Sequence, residues 1–194
     1  KAGIEVGTEK AWELCEKYRL PKLIFVTNMD DDHASFRELV LKLERRFGRS
    51  VAPFQLPIRE NEKFVGYVNV VKMGGRRFTN LSDYEECEIP EYSKKNLGIA
   101  RDALLEAVAE TSEEYMERYF SGEEFTLDEI QGALREHVID GSIVPVLMGS
   151  GINCQGFKTL LQVIDRYLPT PDKFECVGVD VSTGERFTAK YNDD

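Results

Sequence analysis

With 194 residues, 42% of them hydrophobic, the chain has enough apolar material for a core and fits one domain or one domain carrying an insertion. Its 35 acidic residues outnumber 25 basic ones, and a formal net charge of -10 excludes non-specific binding to nucleic acid or to an anionic membrane surface by the chain as a whole. No apolar run approaches the roughly 20 residues of a membrane-spanning helix.

The first predicted element is a helix over 3–19, with Ala11, Trp12, Leu14, Cys15 and Tyr18 as its apolar stripe and Thr8 as its N-cap. A buried strand follows at 22–27 and runs into the polar corner Thr27-Asn28-Met29-Asp30. Ser35 and Glu38 form a capping box ahead of Phe36, Leu39, Val40, Leu43 and Phe47, and Gly48 stops that helix. The stretch 51–58 reads as a short or edge strand, because Pro53 and Pro57 interrupt it.

After Ile58 the character changes. Residues 59–63 form a charged loop, 65–71 a strand, Gly74-Gly75 a turn and 76–79 the returning arm of a hairpin. Residues 80–96 carry weak signals. One long helix is predicted over 98–120, closed by Gly122, and a second from the capping box Thr126/Glu129 to Gly141. A second apolar strand, 142–148, ends in Gly149-Ser150-Gly151, and a helix over 157–168 is stopped by Pro169-Thr170-Pro171. The tail from 172 carries one weak hairpin around Thr183-Gly184. The fold class is therefore α/β: a mostly parallel sheet flanked by helices (1–58 and 142–170), an inserted α+β subdomain (59–141) and a linker (171–194).

No pair among Cys15, Cys87, Cys154 and Cys176 has the two-residue spacing of a zinc or redox site, and no signal peptide is expected. Reduced thiols and a cytoplasmic location follow as expectations. His33 and His137 lie far apart, so no metal site is expected, and Asp30-Asp31-Asp32-His33 reads as a solvated loop beyond its first residue. The basic pairs Arg45-Arg46, Arg76-Arg77 and Lys94-Lys95 read as solvated faces, leaving no direct nucleic-acid contact and no membrane partner.

Ligands of open α/β sheets sit beyond the carboxyl ends of the strands. Parallel strands at 22–27 and 142–148 would bring Asp30 and Ser150-Gly151 to one edge. On spacing alone, two core strands with ordinary polar loops explain the pattern as well. One carboxylate can accept both the N1–H and the exocyclic amine of guanine, a pair adenine lacks, and each hydrogen bond to a charged group contributes about 1.5–3 kcal/mol. Backbone N–H groups at Ser150-Gly151 would face the guanine O6.

These segments, in this order, resemble the G domain of the elongation factor G family, the translational GTPases of ribosomal translocation. Gly7-Thr8-Glu9-Lys10-Ala11-Trp12 resembles the family's Q-T-E-x-x-W start, and Pro21 to Asp30 its strand ending in N-K-M-D. Phe54-Gln55-Leu56-Pro57-Ile58 resembles Q-L-P-I-G, residues 107–111 and 119–124 resemble the family's inserted subdomain, and Ile143 to Ser150 resembles I-V-P-V-L-C-G-S-A. The resemblance implies a partial P-loop-type G domain that binds GTP and GDP through Asp30, Ser150 and Gly151, with Thr27 and Asn28 at the positions of the motif's asparagine and lysine. It also implies that a longer parent acts on the ribosome, with the inserted subdomain toward the ribosomal stalk.

Two departures bear on function. Thr27 stands for the asparagine that ties the loop to the phosphate loop, and Asn28 for the lysine whose stem covers the base, so weakened nucleotide affinity is expected. No G-x-x-x-x-G-K-[ST] occurs, so the phosphate cradle, the magnesium site and the catalytic segment are expected in an N-terminal part outside this sequence, and the chain alone is expected to be inactive, with no catalytic residue of its own. Two rival readings stay open: a paralogue with a degraded site that serves as a protein-docking module, and a ribosomal-protection or release-type GTPase.

Overall fold

The computed structural model describes residues 3–31, 35–48, 50–80, 83–173 and 176–189, without the side chain of Cys176. Helix α1 (Val6–Tyr18) starts after an extended Glu5 that makes no side-chain cap bond, so Thr8, expected as the cap, lies inside the first turn. Strand β1 (Ile24–Val26) is followed by α2 (Phe36–Phe47), whose Ser35 hydroxyl accepts from the Glu38 N–H at 3.4 Å. The stretch expected as one strand over 51–58 divides at Phe54 into β2 (Val51–Pro53) and β3 (Gln55–Glu60), which join different sheets.

Next come β4 (Lys63–Asn69) and β5 (Gly74–Phe78). The turn between them is not Gly74-Gly75, as expected, but the preceding residues; the Asn69 side chain accepts from the Lys72 N–H at 2.8 Å and Met73 takes a left-handed φ of 55°. Strand β6 (Tyr84–Cys87) lies in the stretch whose signals were weak. The single helix expected over 98–120 is two, α3 (Glu91–Ala109) and α4 (Glu113–Ser121). Ser112 causes the break: it is extended, and its hydroxyl accepts from the Tyr115 N–H at 3.1 Å, opening a new helix.

Helix α5 (Leu127–Asp140) opens on the full capping box of Thr126 and Glu129. Strand β7 (Val144–Met148), α6 (Phe157–Tyr167), a 3-10 turn at Pro171–Lys173 and the hairpin β8 (Cys176–Val179) and β9 (Arg186–Ala189) complete the order.

The parallel sheet has the order β1-β7-β2, with both outer strands parallel to β7. All five residues of β7 are buried, as a central strand covered on both faces requires. Met148 and Val146 pack with Met29, Phe36, Val40 and Leu43 of the α2 side, whereas Leu147 turns toward the α5 and α6 side. The antiparallel sheet has the order β3-β4-β5-β6. Its Ile58 and Val68 share a core with Leu147, Leu134, Val138 and Tyr167, so the two sheets are cemented by one hydrophobic cluster. Each such fully buried aliphatic side chain contributes about 1.5–3 kcal/mol. Among the described residues no helix is long and apolar enough to cross a membrane.

Candidate functional site

Two loops leave the carboxyl ends of β1 and β7 side by side. The Gly149 N–H donates to Val26 O at 2.9 Å and the Met29 N–H donates to Gly149 O at 3.1 Å, so the strand ladder continues one step into both loops. A side chain at Gly149 would meet the Gln155 carbonyl at 2.3 Å and the Phe25 ring at 2.5 Å, which restricts this corner to glycine. Asn28 turns the first loop with a left-handed φ of 59°, and Met29 is buried beneath it.

The second loop closes on itself. Ser150 and Gln155 exchange two backbone hydrogen bonds at 3.0 Å, and the Asn153 N–H donates to Ser150 Oγ at 3.2 Å. The buried Ser150 hydroxyl donates to Asp30 Oδ1 at 2.5 Å, joining residues 120 positions apart. Asp30 and Ser150, both singled out in the sequence, are thus brought together. Their roles differ from the expected ones. The Ser150 N–H is taken by Gln155 O and its hydroxyl orients Asp30, so Ser150 itself offers no donor outward. Among the described residues the exposed Gly151 and Ile152 N–H groups have no acceptor, and Asp30 Oδ2 accepts no hydrogen bond. Among the described residues the corner therefore presents one carboxylate oxygen and two amide donors without a partner.

Thr27 and Asn28 are exposed, and neither side chain makes a hydrogen bond among the described residues. Both line a cavity of about 410 Å³ along the free edge of β1, together with Gly3, Thr8, Ile24 and Val26. Asp30, Ser150 and Gly151 do not line that cavity. Asp32 and His33, the rest of the acidic run, lie outside the described residues.

Sequence reasoning missed Arg59, assigned there to a charged loop. It is half-buried at the end of β3, and its Nη2 donates to Met29 O at 2.9 Å and to Asp31 O at 3.3 Å, on either side of Asp30. The only local hint is that Arg59 stands where the Q-L-P-I-G pattern ends in glycine.

The family model for the elongation factor Tu GTP-binding domain matches residues 1–170. The chain belongs to this family. A crystal structure of a protein from Thermus thermophilus is similar to it with a TM-score of 0.81 at 31% identity, covering 96% of this chain. The chain spans 29% of the length of that protein chain. For a member of the elongation-factor GTP-binding domain family, the parallel sheet flanked by helices is the G-domain-like part, and the four-stranded antiparallel sheet stands beside it. The fold class read from the sequence is the fold found, and the resemblance holds at the level of the elongation-factor GTP-binding domain.

The corner suits the edge of a guanine base. Asp30 Oδ2 can accept from the base, and the Gly151 and Ile152 amides can donate to a carbonyl oxygen.

Proposed function

We propose that this chain is the guanine-recognition part of a GTP-binding translation factor of the elongation factor G type. The observation that carries the reading is the Ser150–Asp30 hydrogen bond, which fixes a carboxylate beside the free amides of Gly151 and Ile152. Asp30 selects guanine over adenine, Gly151 contacts the base carbonyl, Ser150 orients Asp30, and Thr27 and Asn28 border the site. GTP and GDP are the ligands. Phosphate binding, magnesium and hydrolysis belong to a part of a longer protein outside this sequence, since no G-x-x-x-x-G-K-[ST] occurs here. The free edge of β1 and a helix α1 that buries none of its residues fit a further segment packing on that flank. Residues 1–58 and 142–170 form the nucleotide half, 59–141 the inserted subdomain and 171–194 a linker. The whole protein works in the cytoplasm on the ribosome during translocation, with the inserted subdomain toward the stalk.

The rival, a docking module that binds no nucleotide, draws on the bare Thr27 and Asn28 side chains. Calorimetric titration of GDP and of ADP into the full-length protein separates the two. Binding of GDP without ADP supports guanine recognition, and Asp30→Asn should then weaken GDP by about 10- to 100-fold, the loss of one or two charge-assisted hydrogen bonds. Absence of binding by either nucleotide moves the function to the docking module.

A further inference from the structure

The guanine loop is held from outside the parallel sheet. Strand pairing between β3 and β4 slips between Ile58 and Arg59: Ile58 faces Gly66, but Arg59 faces Phe64. The slip passes over Val65 of β4, the extra residue of the bulge. Arg59 keeps Phe64 as its partner and lies on the outer strand of its sheet, so among the described residues its far edge is met by groups other than a strand. Its N–H donates to Tyr92 Oη at 3.0 Å, and the same hydroxyl donates to the Arg59 carbonyl at 3.0 Å. Its guanidinium leaves the sheet and reaches Met29 O, Asp31 O and, through Nη1, Glu62 O at 2.6 Å. Tyr92 sits in the first turn of α3 and is mostly exposed, and its hydroxyl reaches the Arg59 backbone.

We propose that Arg59 is a positioning residue for base recognition: its guanidinium grips the backbone on both sides of Asp30, and Tyr92 makes that grip depend on the first turn of α3. The inference rests on the guanine reading above and deepens it. In the sequence pattern the side chain at position 27 would tie the loop; here, among the described residues, Thr27 makes no side-chain hydrogen bond, and a restraint comes from the antiparallel sheet. A charged donor on backbone carbonyls gives strong, directed bonds, and with Nη2 on both loop carbonyls and Nη1 on Glu62 O the planar fork spans three acceptors from two nitrogens, a spread that a single ammonium nitrogen does not reproduce. Order in the loop, and with it nucleotide affinity, is thereby linked to the position of α3.

Three variants of the full-length protein test this. Arg59→Met keeps the stem and removes the fork, Arg59→Lys keeps the charge alone, and Tyr92→Phe removes only the hydroxyl. The first readout needs no nucleotide: NMR order parameters of the Asp30 and Asp31 amides should lie near about 0.85 in the parent and below about 0.6 in Arg59→Met. Those of Val146 and Leu147 in β7 should not change. The second readout is GDP affinity, expected to fall at least tenfold in Arg59→Met, less in Tyr92→Phe, and to be only partly recovered by lysine. Unchanged order at Asp30 and Asp31, or full GDP affinity in Arg59→Met, overturns the proposal. If the parent binds no GDP while the order parameters respond, the guanine reading falls and Arg59 stands as the determinant of the loop's order alone.

Discussion

Asp30 shares its carboxylate between two tasks, with Oδ1 held by the Ser150 hydroxyl and Oδ2 without a partner among the described residues. Ser150→Ala removes the bond that orients it and leaves the Asn153 N–H without its acceptor. Asn153 is exposed and its N–H can turn to water, but a hydrogen bond to a charged carboxylate contributes about 1.5–3 kcal/mol, so the variant should lose stability of that order. It should also bind GDP about tenfold more weakly, read by chemical denaturation and calorimetry side by side. The departures at 27 and 28 yield the opposite expectation. Asn28→Lys supplies a stem that can lie over the base, and Asn28 is exposed, so the longer side chain meets no core. GDP affinity should rise in that variant while ADP affinity stays undetectable. A rise for both nucleotides would mean that the lysine acts by charge and not by covering the base.

At the level of elements, α5 shows how a helix start becomes a pH-sensitive joint. Glu129 closes the capping box on Thr126 and also pairs with Arg118 of α4 at 2.7 Å, so two helices meet at one carboxylate. The Arg118 guanidinium, with the Thr126 N–H and hydroxyl, lowers the Glu129 carboxyl to about 2 from its ordinary 4.5. A depressed folded-state value means stabilisation that is complete above 4.5 and disappears as pH falls from 4.5 to about 2. Glu129→Gln should therefore lower the thermal midpoint at pH 7, and its gap from the parent should shrink through that acid window. Thr126→Ala, which removes the hydroxyl half of the box, should cost about 1 kcal/mol at neutral pH. The same box made α5 legible in the sequence, because capping is local chemistry. The strands β1 and β7 were legible as apolar runs, and so were the two corners they lead to. The break at Ser112 was not, since a serine inside an amphipathic pattern reads equally as a solvent-facing residue. Strand β6, Tyr84-Glu85-Glu86-Cys87, has an acidic middle and becomes a strand only by pairing with Arg76 and Arg77 of β5. Arg59 was illegible for a related reason: its role depends on a tertiary contact between β3 and the loop at 29–31, which neither segment announces alone.

Across the whole molecule, one side chain stitches the two sheets. Gln55, the first residue of β3 and nearly inaccessible, accepts the Met148 N–H at 2.9 Å through Oε1, so the antiparallel sheet begins by satisfying the last residue of the central parallel strand. Its Nε2 is buried without a partner among the described residues, a cost tolerated for the bond on the other atom. Around it Phe54, Ile58, Leu147 and Tyr167 belong to one cluster drawn from both sheets. A shared core of this kind makes the sheets unfold together. Gln55→Ala orphans the Met148 N–H and leaves a void as well, whereas Gln55→Met orphans the same N–H but fills the space and removes the unpaired amide. The alanine variant should lose at least about 1–3 kcal/mol from the orphaned N–H alone, and the methionine variant should lose less in total. Urea unfolding followed by far-UV circular dichroism and by Trp12 fluorescence reads both. Coincident single transitions with an unchanged slope and a lowered midpoint mean that the sheets remain one cooperative unit weakened at their seam. Separate transitions in Gln55→Ala would mean that the hydrogen bond, and not the common apolar cluster, is what couples the guanine-binding edge to the antiparallel sheet.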